Sequence, residues 1–322
     1  MGRARRLAAH GALNPTPDVA PGERGEASPP SPRPVAITVA RLDESSPWRR
    51  YTTDAAGNRW VRLDERLSDP AALDAWYRAE LDATARGHAD LAGALIAYRL
   101  AGALAEMVIG VLFDQRRCVE LTLGAVSLRF GAAARLDEMS VASPAVAVMA
   151  DDPAAGESGT TVVASEGRLR AVAVEGLVAV FAPLTEAVRA RAPFGLRGMW
   201  GTLADHLAEV AVRRARERRL DVDGAWSAAE ILIAELAARE PLLRARPRRQ
   251  VVTCDAGTGT FVAKGTCCLI YKAADRPGSG PASARRLIES AACTSCPLRS
   301  ADDRATRFAA YLLRTDGGHH PA

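Results

Sequence analysis

The sequence lacks a hydrophobic run long enough to cross a membrane. Its longest apolar stretch, from Leu100 to Phe113, has only 14 residues and contains Glu106, whereas a membrane-spanning helix needs about 20 apolar residues. The N-terminal segment is basic at its start but has no apolar core of the kind found in secretory signals. We therefore expect a cytoplasmic protein with no stable membrane insertion, in which residues 100–113 form a buried helix.

Lysine is scarce, and the basic residues are spread along the chain. Of 42 basic residues only Lys264 and Lys272 are lysines, and the net charge is +4. No long basic face or helix-turn-helix is recognisable, so a nucleic-acid partner is not predicted. The chain also lacks a dinucleotide-binding fingerprint, and the glycine-rich segment 255–260 has no phosphate-loop lysine. A nucleotide cofactor is therefore not expected.

Proline is concentrated near the N-terminus. Seven prolines lie between Asn14 and Pro34, among Gly, Ser and Glu and without aromatic residues, which is typical of a segment that cannot bury enough surface to fold. We predict an α+β fold with a predominantly helical body, a few short strands and a small C-terminal cysteine module. The predicted divisions are a disordered tail (1–45), the body (46–245), the cysteine module (246–316) and a flexible tail (317–322).

Helical periodicity dominates the body. Apolar residues spaced three and four apart from about Asp90 predict one buried helix face, and Gly102 and Ala105 leave its middle flat, so that another element can pack closely there. Pro70 after Asp69 marks another helix start, and Ser227 with Glu230 matches a capping box. Helices are predicted at about 69–86, 90–113, 166–191, 196–218, 226–240 and 300–314.

Short runs of β-forming residues interrupt the helices. Residues 118–123 and 126–130 suggest a hairpin that turns at Gly124 and Ala125. We expect further strands near 144–150, 160–165 and 250–254. Arg244 to Gln250 is interpreted as a solvated basic connector, with a docking patch for an acidic electron carrier as the alternative, and residues 255–265 as a glycine-rich turn.

Four of the six cysteines fall between residues 267 and 296, as the adjacent pair Cys267-Cys268 and the pair Cys293-Thr-Ser-Cys296. In a reducing compartment such clusters are more often metal ligands or redox groups than disulfides. Structural zinc sites usually present two Cys-x₂-Cys pairs, and only one is present. Neighbouring strand side chains point to opposite faces, so the adjacent pair must leave strand geometry, which Gly265 permits.

A binuclear [2Fe-2S] centre fits this spacing better than one zinc ion, because its ligands are distributed over two irons. Structural zinc stays open as the alternative. We expect backbone N–H groups near Gly265 and Thr266 and the charge of Lys264 to tune such a centre. Cys254 is close enough in sequence to replace one ligand, but Cys254 and Cys118 are interpreted as buried strand residues.

Residues 266–272 and 293–298 resemble the C-terminal motif of the FhuF-like ferric-siderophore reductases, in which Cys-Cys, a spacer and Cys-x₂-Cys ligate a [2Fe-2S] cluster. Met199-Trp200-Gly201 is similar to a Trp-Gly segment ahead of the cysteine module in that family, and the apolar helix from Leu95 is similar to a family helix. The chain departs from the family in Thr202, where Asn is usual, and in a longer spacer of 24 residues between Cys268 and Cys293.

The resemblance implies an oxidoreductase that reduces Fe(III) in a ferric siderophore to Fe(II) and releases the iron in the cytoplasm. Cys267, Cys268, Cys293 and Cys296 would hold a [2Fe-2S] cluster, and an external low-potential donor would supply the electron. No catalytic residue is predicted beyond these four. A non-catalytic structural zinc module and an iron-sulfur electron carrier or sensor are the alternatives.

Two side chains of the helix at 196–218 have a structural and a functional interpretation. His206 is interpreted as a structural residue, with contact to substrate or iron as the alternative. Trp200 is interpreted as a core residue rather than a platform for substrate. His319 and His320, in the glycine-rich C-terminal tail, are given no role.

Overall fold

The helices carry most of the architecture. A computed structural model describes residues 33–47, 49–57, 59–131, 135–143, 145–274 and 284–316. Its helices are α1 (Pro34–Glu44), α2 (Leu63–Ser68), α3 (Pro70–Ala83), α4 (Ala89–Gln115), α5 (Glu166–Arg189), α6 (Leu196–Glu217), α7 (Val222–Arg239), α8 (Ala284–Ala291) and α9 (Ala301–Asp316). Helices account for 57% of the structure and strands for 16%, which confirms the predicted α+β, mostly helical fold.

The strands form three small sheets. They are β1 (Arg50–Thr52), β2 (Trp60–Arg62), β3 (Arg117–Val119), β4 (Val126–Phe130), β5 (Leu136–Val141), β6 (Val146–Met149), β7 (Thr160–Val163), β8 (Arg248–Cys254) and β9 (Gly257–Ala263). The first sheet has the order β1-β5-β4-β2, with β1 parallel to β5 and the other pairs antiparallel. The second has the order β3-β6-β7, and β8 and β9 form an antiparallel hairpin.

Helix α4 is the centre of the core. Nearly all of its residues from Leu91 to Leu112 are buried, which confirms the helix predicted at 100–113. The expectation that no segment is long and apolar enough to cross a membrane is not met: by length and composition α4 and α5 each could. Inside the protein, 83% of the apolar window of α4 and 50% of that of α5 are buried. Helix α6 packs closely on α4 at Gly102, where a Cβ atom would lie 3.3 Å from the His206 ring. The predicted close packing at this glycine is confirmed.

A buried ionic cluster joins α4 to α6 beyond this contact. Arg214 of α6 is almost completely buried and pairs with Glu106 and Asp114 of α4. Its guanidinium also donates to the Ser45 hydroxyl at 2.8 Å. Charged groups are tolerated in the core when each one is paired and hydrogen-bonded, so this cluster fixes how the two helices face each other.

Helix α1 corrects the prediction of a disordered tail over residues 1–45. Val35, Val39 and Leu42 form one buried face, and Leu42 packs on Gly110 of α4, where a Cβ atom would be 2.4 Å from a Leu42 methyl group. Pro34 takes the first helical position, where its missing N–H is not needed. The prolines before it dominated the composition and hid this apolar spacing, and residues 1–32 lie outside the described part of the chain.

The hairpin predicted for residues 118–130 is wrong. Strand β3 pairs with β6 in one sheet and β4 pairs with β5 in another. A 3₁₀ turn at Leu123–Ala125 carries the chain between the sheets, and all three residues of β3 are buried, unlike a half-exposed hairpin strand. The strands predicted near 144–150, 160–165 and 250–254 are confirmed as β6, β7 and β8.

Two local predictions are wrong: the start of helix α7 and the extent of the turn before β9. Helix α7 begins at Val222, where the Asp221 carboxylate accepts from the backbone N–H of Asp223, and the predicted capping box lies inside the helix. The segment predicted as a glycine-rich turn is mostly strand β9. Only residues 255 and 256 form the turn, and Gly257 closes it with a φ of +110°, a conformation that favours glycine.

The C-terminal elements pack against the end of α6. The rings of Phe261 in β9 and Phe308 in α9 stack at 4.2 Å, and the Arg216 guanidinium lies 4.5 Å from the Phe261 ring centre. The predicted basic connector includes the first residues of β8, and Arg249 there pairs with Asp223. The described residues form one compact unit, so the division into body and cysteine module stays a prediction.

Candidate metal centre

The structure brings together the four cysteines that the sequence singled out. The sulfur atoms of Cys267 and Cys296 are 3.8 Å apart, and the thiol of Cys293 interacts with those of Cys268 and Cys296. The four thiols therefore form a continuous chain of contacts between two segments of the protein. No disulfide joins them.

The first cysteine segment follows β9 and is held by Asp205 of α6. The backbone N–H of Gly265 donates to Asp205 Oδ1 at 2.7 Å, and that of Thr266 donates to Oδ2 at 2.9 Å. Burial raises the pKa of Asp205 to about 7, against these two donors and the charge of Lys264, which lower it. These two N–H groups are therefore taken by a carboxylate and do not donate to the sulfurs.

Other backbone donors take that role. The N–H of Leu269 donates to Cys267 Sγ at 3.4 Å, and those of Ile270 and Leu298 interact with the thiols of Cys268 and Cys296. Hydrogen bonds to sulfur stabilise the thiolate and tune a metal centre bound by it. The chain thus supplies such donors to sulfurs of both segments.

Glycine is required at two points because of close approach. A Cβ atom on Gly201 would lie 1.9 Å from Thr266 Oγ1, and one on Gly265 would lie 2.5 Å from the carbonyl oxygen of Arg246. The chain bends at Gly265 and Thr266, as predicted, and a left-handed conformation follows at Leu269, whose φ is +62°. A left-handed conformation at a branched residue is strained and is typically found at functional sites.

The second cysteine segment is organised by two buried arginines. Arg299 Nε donates to the carbonyl oxygen of Cys293 at 3.0 Å, and Arg304 Nη1 donates to that of Cys296 at 3.3 Å. A backbone hydrogen bond of 2.9 Å from Lys264 to the carbonyl of Ser295 joins this loop to the first segment. The positions of both cysteine pairs are thus fixed by protein contacts.

Contacts among the thiols lower the pKa of two of them and raise the pKa of the other two. Hydrogen bonding to Cys296 lowers the pKa of Cys267 to about 7, and hydrogen bonding to Cys268 and Cys296 lowers the pKa of Cys293. The same contacts raise the pKa values of Cys268 and Cys296. Because a metal ligand must be a thiolate, a metal held by all four sulfurs would displace protons from the latter two.

Lys264 places a positive charge beside the sulfurs. Its ammonium group lies 3.0 Å from Glu209 Oε2 and 5.3 Å from the centre of the Tyr98 ring. Although burial opposes it, the charges of Glu209, Tyr98 and Cys293 raise the pKa of Lys264 well above its usual value. The amine therefore stays protonated, and its charge lowers the pKa of the neighbouring thiols.

The donor set fits a thiolate-bound metal centre. Two sulfurs bound to one tetrahedral ion, with bonds of about 2.3 Å, lie about 3.8 Å apart, which matches the separation of Cys267 and Cys296. In the described part of the chain, no group of three or more His, Cys, Asp or Glu side chains is arranged so that it could hold a metal ion. The preference for a centre of two metal ions over one zinc ion therefore stays a prediction.

The remaining candidate residues lie apart from these sulfurs. Cys254 ends β8 at the hairpin turn, whereas Ala263 at the other end of the hairpin leads to Cys267; six strand residues separate the two ends by about 20 Å. Cys118 is buried in strand β3, as predicted. Cys254 is a strand residue as predicted but is only half-buried. Trp200 is a core residue that contacts Phe181.

The other predicted features are placed as follows. The spacer between Cys268 and Cys293 contains a 3₁₀ turn at Ile270–Ala274 and helix α8. Residues 275–283 of the spacer lie outside the described part of the chain, as do His319 and His320. Thr202 is buried and donates to the carbonyl of Gly198 at 2.9 Å. Sequence reasoning missed Asp205, Arg299 and Arg304, because nothing local marks a charged residue that will be buried against a distant loop.

We expect His206→Gln to reduce the acid sensitivity of the fold. Burial, together with the charges of Lys264, Arg49 and Arg213, holds the pKa of His206 well below its usual value. The unfolded chain takes up a proton below pH about 6.5 that the folded protein excludes, so His206 contributes stability above that pH and the contribution is lost as the pH falls. From about pH 7.5 to 5.5, the free energy of unfolding of the wild type should fall by up to about 1.4 kcal/mol more than that of the variant.

Urea titrations of both proteins at the two pH values measure this difference. Asp205 acts in the opposite direction, because burial raises its pKa and its contribution is lost as the pH rises. The contribution of Asp205 to the pH dependence is the same in both proteins and cancels in the comparison. An identical pH dependence in the two proteins would show that the His206 ring is protonated inside the fold.

No protein-family model matches this chain, and no match is found among curated proteins.

Proposed function

We propose that this chain is a [2Fe-2S] protein that reduces Fe(III) in a ferric siderophore to Fe(II) by one-electron transfer, releasing iron in the cytoplasm. The observation that supports the proposal best is the convergence of Cys267, Cys268, Cys293 and Cys296 in one continuous chain of thiol contacts. The spacing of the same four cysteines carries the resemblance to FhuF-like reductases.

The cysteines would hold the cluster, which when bound supplies one electron at a time. The chain has three tasks around it. Lys264 offsets part of the negative charge of the thiolates. The N–H groups of residues 269, 270 and 298 stabilise the sulfurs. Asp205, Arg299 and Arg304 hold the two loops in place.

The substrate chemistry explains how the iron is released. Siderophores bind Fe(III) through hard, anionic oxygen ligands. Addition of one electron lowers the charge and hardness of the metal, so the siderophore binds Fe(II) more weakly. The electron would come from an external low-potential donor, since the sequence has no dinucleotide fingerprint. Each Fe(III) that is reduced to Fe(II) accepts one electron, and the external donor supplies one electron.

The test is a visible absorption spectrum of anaerobically purified protein, with iron, sulfide and zinc counted on the same sample. The proposal predicts two irons and two sulfides per chain, with the colour lost in Cys267→Ser and Cys296→Ser and retained in Cys254→Ser, the matched control. Turnover with a ferric siderophore and a chemical reductant then separates a reductase from an electron carrier or sensor.

A different metal content would favour the second candidate. A colourless chain that stays free of iron after anaerobic reconstitution and carries one zinc would overturn the reductase proposal. The 3.8 Å separation of Cys267 and Cys296 is also the separation of two zinc ligands, so a structural zinc module would then be the better interpretation.

A further inference from the structure

A row of exposed arginines runs from the loop after α7 into the start of β8. Arg244, Arg246 and Arg248 are exposed, whereas the residues between them, Ala245 and Pro247, are half-buried. This alternation is expected of an extended segment, in which every second side chain points to the same side. These three arginines, which we call the arginine row, therefore present their charges on one side of the segment.

The charge of the arginine row is not neutralised within the described part of the chain. Of the four arginines between residues 244 and 249, only Arg249 forms an ion pair, with Asp223 at 2.6 Å. The other three charges stay free to attract a negatively charged partner. At every second position of an extended segment they span about 13 Å, which is wider than a single carboxylate or phosphate group. The row therefore fits a surface that presents several negative groups, as an acidic protein does.

The backbone of the arginine row lies against the first cysteine segment. A Cβ atom on Gly265 would be 2.5 Å from the carbonyl oxygen of Arg246. This contact lies where the register of the β8–β9 hairpin leads, because Arg248 pairs with Ala263 and the next two residues along each chain end at Arg246 and Gly265. Cys267 follows Gly265 by two residues, a distance of at most about 7 Å along the chain. The row therefore borders the start of the candidate metal centre.

The other end of the row leads to the second cysteine segment. Two residues after Arg248, the side-chain oxygen of Gln250 accepts from Arg304 Nε at 3.0 Å. Arg304 Nη1 donates in turn to the carbonyl oxygen of Cys296 at 3.3 Å. The cysteines are not sealed in the core, since Cys267 and Cys293 are only partly buried. The arginine row thus passes both cysteine segments at the protein surface.

Building on the proposed function, we propose that the arginine row is the docking surface for the electron donor, and that this donor is a small acidic protein with a one-electron redox group. Its carboxylates pair with Arg244, Arg246 and Arg248, which brings its redox group to the side where both cysteine segments lie. The donor loses one electron, and the reduction of one Fe(III) consumes it. Opposite charges on the two proteins speed their encounter and fix its orientation.

The test is equilibrium binding of an oxidised plant-type [2Fe-2S] ferredoxin, an acidic one-electron carrier, to the full chain purified in its oxidised form. No electron moves between two oxidised proteins, so this measurement does not depend on reductase activity. The affinity should fall at least about tenfold between about 20 and 200 mM salt, because salt screens charges at the surface. Cytochrome c, a basic one-electron carrier, should not bind at either salt concentration.

A triple variant removes the charges of the row. Arg244→Gln, Arg246→Gln and Arg248→Gln together should weaken ferredoxin binding about tenfold at low salt, since each exposed ion pair contributes a factor of about two to three. Most of the salt dependence should be lost with it. The three side chains are exposed, so the fold should be retained, which circular dichroism measures.

A second triple variant is the matched control, because it makes the same change in net charge elsewhere. It combines Arg41→Gln in α1, Arg168→Gln in α5 and Arg219→Gln after α6, all at exposed side chains. The end of α6 is about 24 Å from Gly201, where the helix meets the first cysteine segment. The control should bind ferredoxin within about twofold of the wild type.

The outcomes separate this proposal from the proposed function. No binding of ferredoxin, or an equal loss of affinity in the two triple variants, overturns the docking surface even if ferric siderophores are reduced. Tighter binding of a short single strand of DNA than of ferredoxin also overturns it, because the row would then be a nucleic-acid site. Loss of binding in the first variant alone supports the docking surface, and a failure to reduce Fe(III) then counts against the reductase alone.

Discussion

Gly201→Ala should leave a folded protein that loads the proposed metal centre poorly. A Cβ atom at this position would lie 1.9 Å from Thr266 Oγ1 and 3.1 Å from Thr266 Cβ. Rotation of the threonine side chain does not relieve the second contact, so the backbone ahead of Cys267 must move. Overpacking of this kind costs about 1 to 3 kcal/mol. We expect the iron and sulfide content of the purified protein to fall several-fold.

Gly167→Ala is the matched control, because a Cβ atom there meets only ordinary contacts of 3.6 Å and more. A second measurement does not depend on the metal: in the metal-free protein, displacement of the first cysteine segment should speed the reaction of its thiols with a colorimetric reagent. Wild-type metal content together with wild-type thiol reactivity in Gly201→Ala would contradict this account of the Trp-Gly segment.

Much of the fold could be predicted because it depends on local patterns. The apolar spacing of α4 predicts a buried helix, and its flat middle at Gly102 predicts a place where another element, which the structure shows to be α6, packs closely. The pairing of β3 with β6 could not be predicted, since pairing partners are chosen by long-range packing rather than by neighbouring residues. Helix α1 was missed for another reason: its three buried residues follow a proline-rich segment whose composition predicts disorder.

The cysteines of the candidate site could be predicted, but not the residues that hold them. Four thiols within 30 positions are a strong local signal, and the structure brings these four together. Asp205 carries no such signal, because an acidic residue on a helix usually faces solvent. Its role appears only when the turn after β9 places two backbone N–H groups against the carboxylate.

Asp205→Ala should cost the fold about 3 to 5 kcal/mol. The change removes the only described acceptor of two backbone N–H groups, those of Gly265 and Thr266, and hydrogen bonds to charged groups are worth about 1.5 to 3 kcal/mol each. The lost contacts lie directly ahead of Cys267, so the metal content should fall with the stability. Urea unfolding of the metal-free protein measures the loss of stability separately from the loss of metal.

Asp205→Asn makes the comparison specific to hydrogen bonding. The amide has nearly the same shape and keeps one acceptor oxygen, but its NH₂ group meets the other backbone N–H. We expect it to lose about half as much stability as Asp205→Ala. If both variants unfold at the wild-type urea concentration, the Asp205 carboxylate does not hold the cysteine segment. If the asparagine variant alone is as stable as the wild type, the shape of the side chain matters and its charge does not.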